Sequence, residues 1–320
     1  MVALTGAGAT FPYPLYARWI ASFAKASGVR VNYLSVGSGE GARLLRERRV
    51  DFAATENPAA DTAGAPFVYL PMVAGAVAVT YNLPSLARPL RLSGDVIAGI
   101  WLGRITRWDD ARLRALNPGV ALPALPITVV SREEASGTTF VVTTYLASVS
   151  RAWAARAGVG GRIRWPVGVV ARGTEGVSGT VKQTPGAIGF VELAYSQLNR
   201  LPAAAVRNAA GEFVTPSAAA TAAALASVID REVPNDGLLV SLVNPPGVRA
   251  YPIVTLSWLS TRSDLAPDKR AALERFVRFV FGAGASDATA LNYAPLPEGL
   301  ATAALAHLAA SGPARNGATR

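Results

Sequence analysis

Short apolar runs alternate along the chain with segments whose apolar residues recur at helical spacing. The runs predict buried strands at Val29–Leu34, Val50–Thr55, Ile127–Ser131, Ile188–Glu192 and Pro252–Trp258, and several strands within Phe67–Tyr81. Helices are predicted over residues 12–27, 217–227 and 267–281, and from near Ser38, Gly94 and Ser136 onward. The Gly-rich residues 6–11 are predicted to form a loop. Strands that alternate with helices in this way are typical of an α/β protein.

At three places, Gly with Ser or Thr stands where a helix is about to begin. These places are Gly8–Phe11, Gly37–Gly39 and Ser136–Thr139. A helix start has unpaired backbone N–H groups and a partial positive charge, so it suits a phosphate or sulfate ion. Thr10, Ser38, Ser136 and Thr138 would add hydroxyl donors, and Gly137 would let the anion approach the backbone. The alternative for each place is an ordinary helix cap.

Arg132 lies four residues before Ser136, directly after the predicted strand that leads to this helix start. A guanidinium can bind two oxygens of an anion at once. Glu134 stands between the two residues and could hold the guanidinium in place. The alternative is a surface arginine paired with Glu133 or Glu134.

Glu56 follows the strand Val50–Thr55, at a strand end where ligands of α/β sheets bind. A carboxylate beside an anion is reasonable when the anion carries a proton. Hydrogen phosphate can donate that proton to Glu56, whereas sulfate at neutral pH cannot. A buried acceptor left unpaired would penalise sulfate, so Glu56 is a candidate selector. The alternative is a solvated loop carboxylate.

Composition excludes several classes of protein. The 320 residues are 51% hydrophobic and 16% charged, which argues against a disordered chain. The net charge of +10 comes almost entirely from scattered arginines without a basic run, so we expect no nucleic-acid partner. The chain has no cysteine and a single histidine, His307, so we expect no disulfide, metal or cofactor.

The sequence also lacks the motifs of the enzymes that would compete for this interpretation. It has no phosphate-binding loop of the Gly-x-x-x-x-Gly-Lys-Ser/Thr type. Val36 occupies the position where a nucleophile elbow around Ser38 would need glycine. We therefore expect a binding protein rather than an enzyme, and a phosphate-ester hydrolase is the least favoured alternative.

Several motifs resemble one family, the phosphate-binding proteins of Pst-type ABC transporters. The first is Leu4–Pro12 (LTGAGATFP), and the second is Arg132–Phe140 (REEASGTTF), with its Arg-x-x-x-Ser-Gly-Thr signature. Weaker similarities are Trp101–Asp110, Thr184–Glu192 and Leu291–Pro297, so the resemblance covers about residues 3–310. It implies a two-lobed periplasmic binding protein type II fold, with residues 1–75 and 251–320 in lobe I and residues 76–250 in lobe II. The cleft between the lobes would bind the ligand.

The resemblance also implies a ligand set and a role. The matching phosphate ligands are Thr10, Phe11 through its backbone N–H, Ser38, Arg132, Ser136, Gly137 and Thr138, with Glu134 orienting the arginine, and Glu56 stands at the position of one further ligand. The implied function is non-catalytic delivery of phosphate to membrane permease subunits by a periplasmic monomer. Residues 1–4 show no signal peptide, so such a signal would have been removed, or the protein would be cytoplasmic. Binding of arsenate or sulfate, and a sensor or adhesion role, remain alternatives.

One position departs from the family pattern. Where the family usually has aspartate, the stretch Asp51–Glu56 (DFAATE) ends in glutamate, which is one methylene longer. The acceptor role survives, and we expect phosphate binding to be retained. The longer side chain requires that either the loop or the ligand shifts.

Overall fold

The computed structural model describes residues 2–58, 67–83, 86, 89–229 and 239–312. The strands are β1 Ala3–Gly8, β2 Arg30–Ser35, β3 Phe52–Thr55, β4 Phe67–Tyr81, β5 Arg91–Leu92, β6 Thr128–Arg132, β7 Val169–Ala171, β8 Ala187–Glu192, β9 Ala205–Arg207, β10 Phe213–Val214 and β11 Val254–Arg262. The helices are α1 Tyr13–Ser27, α2 Ser38–Arg46, α3 Gly94–Trp101, α4 Ala111–Leu116, α5 Gly137–Val149, α6 Arg151–Arg156, α7 Gly173–Gln183, α8 Leu193–Leu198, α9 Ala218–Ile229, α10 Pro267–Phe281, α11 Ala285–Ala290 and α12 Glu298–Ala310. The α/β prediction is confirmed.

Eight strands form one sheet in the order β2-β1-β3-β11-β4-β8-β6-β7, and a small sheet has the order β10-β9-β5. The large sheet contains two parallel groups. One is β2, β1 and β3, and the other is β8, β6 and β7. The antiparallel strands β11 and β4 lie between the two groups.

The register along β4 decides where the ends of these groups meet. The first part of β4 pairs with β11, from Phe67 to Ala76, and the last part pairs with β8, from Val77 to Tyr81. Glu192, the carboxyl end of β8, lies opposite Val77. Because the two parallel groups run in opposite directions along different halves of β4, the carboxyl ends of both point toward its middle. Loops that follow these ends can therefore form one site.

An aromatic cluster supports the first of these ends. Tyr16 from α1 packs on Tyr33 from β2 with ring centroids 4.8 Å apart, and on Phe52 and Phe276 at 6.3 and 6.4 Å. Each of the three fully buried rings, Tyr16, Phe52 and Phe276, contributes about 1.5–3 kcal/mol through removal of apolar surface from water. The cluster fixes α1 against the sheet directly behind the loop that contains Thr10.

The structure corrects two details of the sequence interpretation. The Gly-rich residues 6–11 do not all form a loop, because Gly6 and Gly8 belong to β1, which pairs with both β2 and β3. Residues Phe67–Tyr81 form one continuous strand rather than several, despite Pro71 and Gly75. The small and polar residues after Ser311 predict a disordered tail, and all of them except Gly312 lie outside the described residues. Among the helices described, none combines the length and the apolar character that a membrane span requires.

Candidate anion-binding site

Glu56 lies in a buried group of polar side chains at the end of β3, with only 2% of its surface exposed. The Ser38 hydroxyl donates to Glu56 Oε2 at 3.3 Å, and Ser257 donates to Oε1 at 3.1 Å. The backbone N–H of Gly137 donates to Ser38 Oγ at 3.2 Å. The start of α2, the start of α5 and the end of β3 therefore meet at one carboxylate, and the solvated-loop alternative for Glu56 is wrong.

The start of α5 reaches Glu56 because residue 137 is glycine. A Cβ atom at this position would lie 2.3 Å from Glu56 Oε2 and 2.8 Å from the Glu56 backbone nitrogen. Any larger residue would push the helix away from the carboxylate. The close approach of the helix to Glu56 therefore requires glycine at this position of the Ser-Gly-Thr motif.

Arg132, the last residue of β6, is also buried, with 2% of its side chain exposed. Its Nε donates to Glu134 Oε1 at 2.8 Å, and its Nη2 contacts the same oxygen. Its Nη1 donates to Thr174 Oγ1 at 3.3 Å. Glu134 in turn accepts from the backbone N–H of Gly173 at the start of α7. The surface-arginine alternative is therefore wrong, because the guanidinium is enclosed and held by Glu134.

Thr10 joins the two parallel groups. Its Oγ1 lies 2.8 Å from Thr174 Oγ1 and accepts from the Thr174 backbone N–H at 3.4 Å. Thr10 follows β1 in the first group, whereas Thr174 follows β7 in the second. Because Arg132 also donates to Thr174 Oγ1, the Thr174 side chain links Thr10 to Arg132.

The backbone around Thr10 is fixed by tyrosine hydroxyls on three consecutive carbonyl oxygens. Tyr33 lies 2.8 Å from the oxygen of Ala9, Tyr195 lies 3.0 Å from that of Thr10, and Tyr293 lies 2.9 Å from that of Phe11. Burial raises the pKa of all three hydroxyls, so they keep their protons as donors. Phe11 itself is buried, and its ring packs edge-on against Tyr293.

The start of α5 supplies the remaining predicted residues. Ser136 caps the helix, since its Oγ accepts from the Thr139 backbone N–H at 3.3 Å and its own N–H donates to Gly161. The hydroxyls of Thr138 and Thr139 are buried without a hydrogen-bond partner among the described residues. A buried unpaired hydroxyl costs about 1–3 kcal/mol, so Thr138 is well suited to a polar ligand at this helix start.

The site thus combines one enclosed cation, several hydroxyls and backbone donors, and two carboxylates. This set suits a small oxyanion that carries a proton. Over the part of the chain that the structure describes, no group of three or more His, Cys, Asp or Glu side chains is placed to hold a metal ion.

Comparison with known proteins agrees with this chemistry. A family model described as the PBP superfamily domain matches residues 2–283. The phosphate-binding protein PstS of Pasteurella multocida is 38% identical over 299 residues, which cover 92% of this chain and 86% of the relative. The protein of the same name from Methanocaldococcus jannaschii is 36% identical, with 92% and 82% covered. The chain belongs to the PstS family.

Solved structures show the same fold as this PstS-family chain. The phosphate-binding protein from Stenotrophomonas maltophilia has a TM-score of 0.73 at 19% identity, with 96% of this chain and 94% of that protein covered. A periplasmic phosphate-binding protein solved with bound phosphate, PfluDING, has a TM-score of 0.74 at 22% identity, with 95% and 93% covered. The predicted periplasmic-binding-protein type of fold is confirmed.

Sequence reasoning missed two residues that contact the candidate site. Thr174 lies at a fourth helix start of the same kind, where Gly173 and Thr174 follow β7, but this strand is short and half exposed and was not predicted. The Gly-Thr pair itself was a usable signal. Ser257 lies 201 residues from Glu56 along the chain within an apolar strand, and nothing local indicates its contact.

Proposed function

We propose that this protein binds one inorganic phosphate ion and delivers it to an ABC-type importer. The observation that carries the proposal is the enclosed Arg132, which Glu134 holds beside Thr10, together with the helix starts at Ser38 and Gly137. Membership of the PstS family supports phosphate as the ligand.

In this proposal, phosphate is bound by Arg132, by the hydroxyls of Thr10, Ser38, Ser136 and Thr138, and by the N–H groups of Phe11 and Gly137. Glu56 accepts a hydrogen bond from the protonated oxygen of the ligand. Binding exchanges the internal hydrogen bonds of Ser38 and Gly137 for contacts to the anion. Hydrogen bonds to charged groups contribute about 1.5–3 kcal/mol each, and a micromolar Kd corresponds to about 8 kcal/mol, so this set is sufficient.

We further propose that the sheet divides into the two predicted lobes, residues 1–75 with 251–320 and residues 76–250. The change of partner along β4 between Ala76 and Val77 supports a boundary there. Opening the lobes would separate Thr10 from Thr174, and binding would bring them together. The closed form would present the surface that permease subunits recognise. The protein acts as a periplasmic monomer, catalyses no reaction and needs no cofactor.

Calorimetry on protein freed of ligand by unfolding and refolding tests this function. Phosphate should bind one to one with a Kd near or below micromolar, and excess sulfate should not displace it. Tight binding of sulfate would reassign the ligand, and failure to bind either anion would exclude the transport role. A phosphate-ester hydrolysis assay with and without divalent metal should show no turnover.

A further inference from the structure

Ser257 contacts the proposed selector without belonging to any of the helix starts. Its hydroxyl donates to Glu56 Oε1 at 3.1 Å, and none of its surface is exposed. The other carboxylate oxygen, Oε2, faces Ser38 and the start of α5. The two oxygens of Glu56 therefore face different neighbours.

The sheet explains why these side chains meet. The antiparallel ladder of β3 with β11 ends at the pair Thr55 and Trp258. The next pair along would be Glu56 and Ser257, and directly opposed residues share a face of the sheet. At the same point the pairing of β11 with β4 shifts, because Trp258 lies opposite Pro71 while Ser257 lies opposite Val73. Such bulges bend a strand and redirect side chains near sites.

Glutamate in this position needs an anchor more than aspartate would. Its additional methylene adds a rotatable bond, and side-chain freedom weakens any preference that depends on orientation. Glu56 also lines a cavity of about 310 Å³, together with apolar side chains that include Phe140, Leu242 and Trp258. A carboxylate released from Ser257 would have room to turn toward this cavity.

We propose that Ser257 is a positioning residue for phosphate selection, because it holds Glu56 Oε1 so that Oε2 faces the anion. When it is ionised, a fixed carboxylate accepts a hydrogen bond from hydrogen phosphate and has no proton to donate to sulfate. With Ser257 as its anchor, the longer glutamate can select phosphate at the position where the family usually has the shorter aspartate. This inference rests on the proposed function, since it concerns the selectivity of the same site.

The test compares phosphate and sulfate Kd values, by calorimetry, for the parent protein and for S257A, S257T and S257V. Thr and Val have the same shape but differ in the hydroxyl, so this pair decides the question even if S257A folds poorly. The control is S260A, because Ser260 is buried in the same strand and donates to the Ala53 carbonyl at 3.3 Å rather than to Glu56. Thermal unfolding checks that each variant is folded.

We expect S257A and S257V to lower the phosphate-over-sulfate ratio about tenfold, the scale of one hydrogen bond to a charged group. S257T and S260A should keep the parental ratio. A merely structural defect would weaken the binding of both anions by the same factor, and that result would overturn the inference. An unchanged phosphate-over-sulfate ratio in S257V would overturn it as well. If the parent protein selects phosphate and S257V has the same phosphate-over-sulfate ratio, only the role of Ser257 is refuted. A parent that binds no phosphate would refute the proposed function as well.

Discussion

Two carboxylates lie in the candidate anion site, and their surroundings differ. Glu134 contacts the buried guanidinium of Arg132 and the N–H of Gly173, and its side chain is 20% exposed. Glu56 is 2% exposed and accepts from the hydroxyls of Ser38 and Ser257. The charge of Glu134 is compensated by a cation, so it can orient that cation without repelling a ligand. Glu56 Oε2 faces Ser38 and the start of α5, where in the proposed complex it would accept a hydrogen bond from a ligand that carries a proton.

The comparison separates affinity from selectivity. The Arg132 and Glu134 side should bind any tetrahedral oxyanion, because a guanidinium recognises oxygen atoms and charge. The Glu56 side should discriminate between anions of the same shape. Variants on the first side should change the Kd values of phosphate and sulfate together, and variants on the second should change their ratio.

The largest loss of affinity is expected for Arg132→Ala. It removes about two charge-assisted hydrogen bonds and leaves Glu134 beside the anion, so phosphate should bind about 10³-fold more weakly. Calorimetry measures the loss. Arg107→Ala is the control, since Arg107 is exposed and pairs with Asp109. Phosphate binding that survives in Arg132→Ala would show that the arginine is not a ligand.

A smaller loss is expected for Glu134→Gln. The amide keeps the size of the side chain but holds the guanidinium less firmly, so both anions should bind about tenfold more weakly, the scale of one charged hydrogen bond. Competition titrations give both Kd values for the same preparation. A change in the phosphate-over-sulfate ratio would contradict the division between the two carboxylates.

Tyr195→Phe should have a weaker effect. The Tyr195 hydroxyl lies 3.0 Å from the Thr10 carbonyl oxygen and 2.8 Å from Glu175 Oε1, so it helps to hold the Thr10 loop against α7. A neutral hydrogen bond contributes about 0.5–1.5 kcal/mol, so phosphate should bind about threefold to tenfold more weakly. Tyr81→Phe is the control, because its hydroxyl accepts from the Leu90 backbone N–H. Equal losses of phosphate affinity in the two variants would show that the Tyr195 hydroxyl has no specific role in binding.

A third carboxylate, Glu192, shows what burial does without an anion cradle. Burial raises its pKa from 4.5 to about 8, although the Ala194 N–H that it accepts opposes the shift. Between these values the folded protein keeps a proton that the unfolded chain releases. The free energy of unfolding should therefore fall as pH rises through this window, by at most about 1.4 kcal/mol per pH unit.

Glu192→Gln should remove this part of the pH dependence while phosphate binding at constant pH stays near parental. Urea unfolding between pH 5 and about 8 measures it, with the exposed Glu212→Gln as the control. A parental slope in Glu192→Gln would show that Glu192 does not carry the proton.

The sequence predicted the helix starts of the candidate site, because their structure depends on local residues. Thr10, Ser38 and Gly137 each stand at a strand-to-helix junction, and a helix start needs only neighbouring residues to make it a donor site. The same reasoning wrongly assigned Gly6 and Gly8 to a loop. They form a strand because the pairing of β1 with two neighbours overrides the weak strand preference of glycine. The contact of Ser257 with Glu56 lies at the end of a ladder between distant segments, beside a register shift between Pro71 and Val73 of β4, and no local pattern encodes either.

The most direct test of the central claim, that Glu56 selects phosphate through the ligand's proton, is the phosphate-over-sulfate ratio of Glu56→Gln. The amide can donate to sulfate, so sulfate should bind more tightly and phosphate less tightly. The account predicts that the ratio falls about 10²-fold or more, within the range for sites built to match a ligand hydrogen. A ratio equal to that of the parent protein would contradict it.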